Sequence, residues 1–399
     1  MRPPATPPKN EQGFALLLVL VFTLVLIPLA GEFAFQVQME ARTAQNVADQ
    51  LKIDNAIDGQ FDVVLARLEY DATQEDVDSY SDSWNADEIK ERREDETQVA
   101  LSTQVFDEQG KFNVLLLARA PVDRRPLIRE RMIRILVECR KDTKDPIDDS
   151  LAKELVDDLA GFLTGTRNRG GIPNPKTVDD RPILLLDDLK FVNSRFGELL
   201  VDVRVEDQVE AGLQRYLTVY GTGKLNLNTA DPVVLRAFFP SDTGIGDRIK
   251  ERRDGSGTGG NGGTKSGTGG TSATWGTSGT GGTSGSGSGS GSGSSASDDN
   301  AGGEPFTDVN QVMDVDGVTV EQLQKDKVDL GVDFDVRSNF FSVRINGQTD
   351  VTRRDELYVV ERVKGATKDA PLEGFRYLLH QERTDPLEDL ADEGTSSTR

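Results

Sequence analysis

The stretch Asn10–Ala30, NEQGFALLLVLVFTLVLIPLA, changes character at a single glycine. Up to Gly13 the chain is polar and rich in proline; from Phe14 to Ala30 it carries no charge. A helix over 14–30 is about 25 Å long, enough to cross the hydrocarbon core of a bilayer. Arg2 and Lys9 precede it. The positive-inside rule then places residues 1–13 in the cytoplasm and the bulk of the chain on the far side. A secretory signal is cut after its apolar region, beside small residues. Here the small-residue junction stands before the apolar run, so cleavage after Gly13 would discard the polar leader and keep the helix. Pro28 lacks an N–H and is expected to kink that helix.

The apolar pattern does not stop at the membrane. Val37, Ala41, Ala44, Ala48 and Leu51 recur at spacings of three and four, and Ile57, Phe61, Val64, Leu65 and Leu68 continue the stripe. One apolar face with polar residues opposite predicts a single helix over 14–70, on the order of 85 Å long. Half would lie in lipid and half on a globular domain. An ordinary anchor followed by an unrelated helix is the competing reading.

The chain has 399 residues, room for two or three domains. Its formal charge of −22 disfavours binding to phosphate backbones, which attract basic stripes. Cys139 is the sole cysteine, so no intrachain disulfide forms. The alternation in RMIRILVECR reads as a packed or strand-edge thiol. His380, the sole histidine, has no Ser or Cys motif that would use it as a base, and reads as a strand-face residue.

Polar leader, Gly13, Phe14 and an apolar helix together resemble a type IV prepilin or pseudopilin. The resemblance implies cleavage between Gly13 and Phe14 by a prepilin peptidase, with methylation of the new Phe14 amine. Most such proteins carry a glutamate at the fifth mature position, where this chain has Leu18. A carboxylate in lipid is costly unless paired; in the family it is thought to neutralise the amine of the subunit ahead. A subunit at the tip has none ahead, and absence of the acid is the pattern of the K-type minor pseudopilins of type II secretion systems. Three further segments resemble that type. VFDEQGKFNVLLLA (105–118) is similar to the strand–turn–strand that opens the sheet, and RPILLLDDLKFV (181–192) to a short helix. The strongest match is LTVYGTGKLNLNTADPVVLRAFF (217–239), where Asn226, Asn228, Thr229 and Ala230 stand in the family's Asn-x-Asn-Thr-Ala places.

That segment also has its own physical reading. Asn and Thr side chains accept hydrogen bonds from the free N–H groups of a helix start. Thr229 or Asn228 is therefore expected as the N-cap, with Pro232 in the first turn. TGIGDRIKERR supplies a turn and a second helix. PFTDVNQVMDVDGVTVEQL repeats the design, with Thr307 as the expected cap and Asp316-Gly317 as the turn. The two read as helix-hairpin-helix-like repeats. Residues 254–303 split them with a Gly/Ser tract that has almost nothing to bury and is expected to be a disordered loop. Its ends, Arg253 and Pro305, must stay close, at an entropic cost that grows only logarithmically with loop length. Trp275 reads as an incidental residue of that loop.

After the repeats, FFSVRING, ELYVVERV and GFRYLLHQE each read as a strand with one apolar face. The expected class is α+β: a long N-terminal transmembrane and amphipathic helix on an antiparallel pilin-like sheet, with an inserted mainly helical domain. The expected divisions are leader 1–13, helix 14–70, first part of the pilin-like domain 71–125, insert 126–335, closing strands 336–385 and acidic tail 386–399.

Acidic clusters at Asp145, Asp148 and Asp149, at Asp157 and Asp158, and at Asp187 and Asp188 invite a calcium reading. None has EF-hand spacing. The family's usual Asp-Trp-x-Asp segment after LVDDL is replaced by AGFLTGTRNRGG. Calcium is left open with no ligand assigned, and the clusters read as solvated helix faces. No nucleotide loop, nucleophile elbow or zinc motif occurs, so no catalytic or cofactor-binding residue is assigned and no enzyme is expected.

The resemblance implies a minor pseudopilin at the tip of a type II secretion pseudopilus. It would be anchored once in the bacterial inner membrane with its globular part in the periplasm. Implied partners are other minor pseudopilins, the major pseudopilin, the prepilin peptidase, the inner-membrane platform, secreted proteins and the outer-membrane secretin. The alternative is a membrane-anchored helix-hairpin-helix DNA receptor of a competence system, for which TGIG (243–246) followed by Arg248, Lys250, Arg252 and Arg253 has the right look. Asp231, Asp242, Asp247, Glu251 and Asp254 leave that segment near neutral, so no nucleic acid is expected.

Overall fold

The computed structural model describes residues 11–74, 76–94, 99–165, 185–205, 208–255, 303–349, 352–364 and 372–383. The Gly/Ser tract with Trp275 and the acidic tail lie outside the described residues, as does most of the leader. Helix α1, Glu11–Gln74, opens the chain and runs through Pro28. It is one helix, as the stripe predicts, but only its last third is packed. Val37 and Leu51 are exposed, and burial begins in earnest at Ile53. The small residues Ala41, Ala44 and Ala48 are likewise exposed among the described residues.

Ile53, Ala56, Ile57, Phe61, Val64 and Leu68 form the buried face of α1. They cover a five-stranded antiparallel sheet ordered β1 (Glu91–Glu94), β2 (Val99–Asp107), Phe340–Gln348, Arg353–Lys364 and Leu372–Arg383. The three closing strands are the ones that alternation predicts. Val105, Val343, Tyr358 and Val360 point at the helix from three neighbouring strands. Phe61 stacks on Tyr358 with ring centroids 3.9 Å apart, and Tyr358 stacks in turn on His380 at 4.4 Å. His380 is thus a strand-face residue; its ring nitrogen Nε2 lies 2.8 Å from Glu356 Oε2. Gly347 lets α1 approach the middle of the sheet, because a Cβ there would stand 2.8 Å from Ile53 Cγ2.

Between β2 and the strand Phe340–Gln348 the chain builds a second core from helices, among them Arg125–Cys139, Asp149–Leu163, Pro232–Phe238 and Gly244–Asp254. The expected strand–turn–strand at 105–118 does not close as a hairpin. Glu108–Gly110 is a 3-10 turn, and Phe112–Asn113 pairs parallel with Leu217–Thr218 rather than with β2. Val114 and Leu117 then join the helical core. Cys139 lies at the end of a helix, not on a strand. Ile128, Met132, Ile135, Leu136 and Cys139 are buried at helical spacing, which the short alternation disguised. Pro126 sits in that helix's first turn, and Asp148 caps the next by accepting from the Leu151 N–H at 2.8 Å. Of the two expected helix–turn–helix pairs, the first is Pro232–Phe238 with Gly244–Asp254. In the second the leading member is a 3-10 segment, Val309–Asp314, followed by the turn at Gly317 (φ 81°) and the helix Val320–Asp326.

Candidate functional site

The N-terminal candidates sit on α1. Gly13 and Phe14 fall within its first turns. Leu18 belongs to an apolar stretch in which every large side chain from Leu16 to Leu29 is exposed. α1 is the one helix among the described residues that is long and apolar enough to cross a membrane. An exposed apolar surface of that extent is the kind that marks a membrane or protein interaction site.

The Asn-x-Asn-Thr-Ala residues do something other than cap a helix. The N-cap of Pro232–Phe238 is Asp231, whose carboxylate accepts from the Val233 N–H at 2.8 Å. Asn226, buried on a two-residue strand beside Asp335, turns its amide toward the sheet. Asn226 Nδ2 lies 3.0 Å from the Asp78 carbonyl, 3.0 Å from Asp107 Oδ2 and 2.8 Å from Ser338 Oγ. The Thr229 hydroxyl also donates to Asp107 Oδ2, and the Gln109 N–H donates to Asp107 Oδ1 at 2.7 Å. Asp107 ends β2 and Ser338 precedes the next strand, so these bonds lock the helical body onto the sheet at the two points where the chain passes between them. Asn228 does a different job. Its amide donates to the Phe306 carbonyl at 2.9 Å and accepts from the Phe306 N–H at 2.7 Å. Arg253 Nη1 reaches the carbonyls of Leu227 at 3.0 Å and Ala230 at 2.7 Å. The two flanks of the Gly/Ser tract are therefore tied to one segment, as loop closure requires. Thr307 is not a cap; Asp308 is, in a capping box with Gln311.

Beside Asn226 lies a charge cluster that sequence reading missed. Arg362, wholly buried on the strand Arg353–Lys364, ion-pairs with Asp71 at 2.9 Å and with Asp78. The Asp78 carboxylate also accepts from the Ser338 N–H at 2.7 Å. Asp71, Asp78 and Asp82 can each bring one oxygen within 4.8 Å of the others. Burial, helped by the charges of Asp78 and Asp82 and opposed by Arg362, pushes Asp71 up to about 7. Burial likewise raises Asp107 to about 6 against its hydroxyl donors. Glu108 goes the other way: burial pushes it up, but Lys111 at 2.6 Å and the hydroxyls of Ser342 and Thr218 outweigh that and hold it low. A signal for Arg362 existed, since Tyr358, Val360 and Arg362 share one strand face, and a charge on an apolar face asks for a buried partner.

Each of the three carboxylates Asp71, Asp78 and Asp82 already has a protein partner. The guanidinium of Arg362 already holds Asp71 and Asp78, and Asp82 accepts from the N–H and hydroxyl of Ser79, both at 2.6 Å, and from Trp84. Five of the seven acids singled out in the sequence are also engaged: Asp145 by Arg195, Asp157 by Arg129, Asp148 by the Leu151 N–H, Asp158 by Asn193 at 2.9 Å and Asp188 by the Leu185 N–H at 3.1 Å. The arginines that suggested phosphate binding have partners within the chain. Arg248 reaches Asp242 and the Asp316 carbonyl, Arg252 the Gln311 carbonyl, and Arg253 the two carbonyls above.

No family model and no curated protein sequence matches the chain. A solved structure does: a chain in the crystal structure of the GspK-GspI-GspJ complex from the type 2 secretion system of enterotoxigenic Escherichia coli. The match covers 86% of this chain and 100% of that one, at 15% identity and a TM-score of 0.52. Likeness at that identity is a likeness of fold. The chain has the fold of a minor pseudopilin.

Proposed function

We propose that the chain is a non-enzymatic minor pseudopilin of the K type, placed at the tip of a type II secretion pseudopilus, where it helps to start filament assembly. The observation that carries this reading is the match over the full length of a chain from a minor-pseudopilin complex. The exposed apolar part of α1 supports it, because a helical stretch with no packing partner among the described residues is suited to lie in lipid and among like helices. Leu18 supports the tip position: a subunit with nothing ahead of it needs no acid to neutralise a neighbour's amine. The helical body would crown the filament and hinder stacking of another subunit above.

On this reading a prepilin peptidase cuts between Gly13 and Phe14, the Phe14 amine is methylated, and the globular part lies in the periplasm. Partners are the other minor pseudopilins, with the major pseudopilin, the inner-membrane platform, the secretin and secreted proteins beyond them. Co-expression with the remaining minor pseudopilins and purification in detergent tests it. A stoichiometric complex is expected. A chain that elutes alone under conditions where its siblings associate contradicts the reading.

A further inference from the structure

The Arg362 cluster lies where three parts of the molecule meet. Asp71 ends α1, Asp78 and Asp82 lie on the link to the sheet, and Asp107 ends β2. Asn226 and Thr229 arrive from the helical body, while Ser338 and Arg362 belong to the returning chain. Four buried carboxylates, Asp71, Asp78, Asp82 and Asp107, lie here, and the one guanidinium of Arg362 pairs with two of them, Asp71 and Asp78. The other charges nearby are already matched, Glu108 by Lys111 and Asp76 by Arg337. With every acid ionised the cluster holds three uncompensated negative charges out of water, an arrangement that proteins relieve by taking up protons.

We propose that this cluster is a proton-responsive joint, which holds the helical body, the sheet and the end of α1 together more tightly when it carries a proton than when all four carboxylates are ionised. Asp71 carries the proton most readily, because burial and the charges of Asp78 and Asp82 oppose its ionised form more than Arg362, shared with Asp78, supports it. Asp78 accepts from both the Ser338 N–H and Arg362. The direction of the effect follows from Asp71 lying near 7 and Asp107 near 6 in the folded chain, both above the ordinary carboxylate range. An acid raised on folding contributes stability that is complete below its unfolded value and is lost as pH rises through its folded value. The joint therefore tightens between pH 8 and pH 6, opposite to a surface carboxylate paired with a base.

The test is hydrogen exchange on the full chain in detergent micelles, read at peptides containing Asn226 and Ser338 and corrected for intrinsic rates. One carboxyl titrating near 7 gives about tenfold greater protection at pH 6 than at pH 8. Asp71→Asn keeps an oxygen for Arg362 but cannot ionise. It should retain at pH 8 nearly the protection seen at pH 6, leaving no more than about a twofold change from Asp107. Equal wild-type protection at the two pH values, or a tenfold change surviving in Asp71→Asn, overturns the proposal. Should that variant fail to fold, infrared spectra of the wild type at pH 6 decide. A protonated-carboxyl band in the folded chain is expected, and its absence also overturns the joint.

Discussion

Asn226 donates to the buried carboxylate of Asp107 across 3.0 Å, joining residues 119 positions apart in the chain. Thr229 and Ser338 converge on the same oxygen. Asn226 would keep the Asp78 carbonyl and Ser338 Oγ, but removing the carboxylate would strand the Thr229 and Ser338 hydroxyls and the Gln109 N–H, each costing about 1–3 kcal/mol when left unpaired. Asp107→Ala should therefore lower the free energy of unfolding by about 3 kcal/mol or more, whereas Thr229→Val should cost only about 1 kcal/mol. Urea unfolding of both variants in detergent checks the ratio; similar small losses would mean that the lock is peripheral.

Arg362 stands between Asp71 and Asp78 with almost no access to water. Arg362→Leu leaves two buried carboxylates without their counter-charge, an uncompensated state worth about 3–5 kcal/mol. The loss should be largest at pH 8 and smaller at pH 5, because Asp71 can shed its charge by taking up a proton. Thermal unfolding at the two pH values distinguishes this from simple loss of packing against Phe341, which would not vary with pH.

Gly347 sets how closely α1 lies on the sheet. A valine there would press on Ile53 and Ile57, which a Cβ would meet at 2.8 and 3.1 Å. Gly347→Val should destabilise by about 1–3 kcal/mol through overpacking. Proteolysis should then cut α1 near Gly59 faster than in the wild type. An unchanged cleavage rate would mean that the helix is held elsewhere.

Cys139 is buried in the helical core, and burial pushes its thiol up to about 12. The thiolate is the reactive form. Maleimide at pH 8 should therefore label the folded chain slowly and the urea-unfolded chain at once. Rapid labelling without denaturant would show that the end of the helix Arg125–Cys139 opens.

The parts of the fold written as periodicity were legible in the sequence. The 64-residue helix and the three closing strands follow from spacings of three to four and of two. Around Cys139 the packed thiol is as expected, but the strand-edge alternative is not, because a short alternation fits a strand and a helix face equally well. The packed limit of α1 was hidden for a different reason. Val37 and Leu51 look like core on a helical wheel, but which protein or lipid covers an apolar stripe is not a local property. The Asn226–Thr229 motif was found for its residue types and given the wrong partners. The expected turn is there, with the Asn228 N–H donating to Asn226 Oδ1, but the cap is Asp231; Asn226 and Thr229 bind Asp107, Asp78 and Ser338 and Asn228 binds Phe306, partners that only folding brings near. Asp71 and Asp78 had no local mark at all, being two acids in an acidic chain.

The account rests on α1 being trimmed at its start and inserted as a rod that leads others. Intact-mass and N-terminal analysis of the chain purified from cells that contain a prepilin peptidase tests this most directly. A mature chain beginning at methylated Phe14 is predicted, with Gly13→Ala abolishing the cut. A chain that keeps Met1 beside a working peptidase would contradict the account.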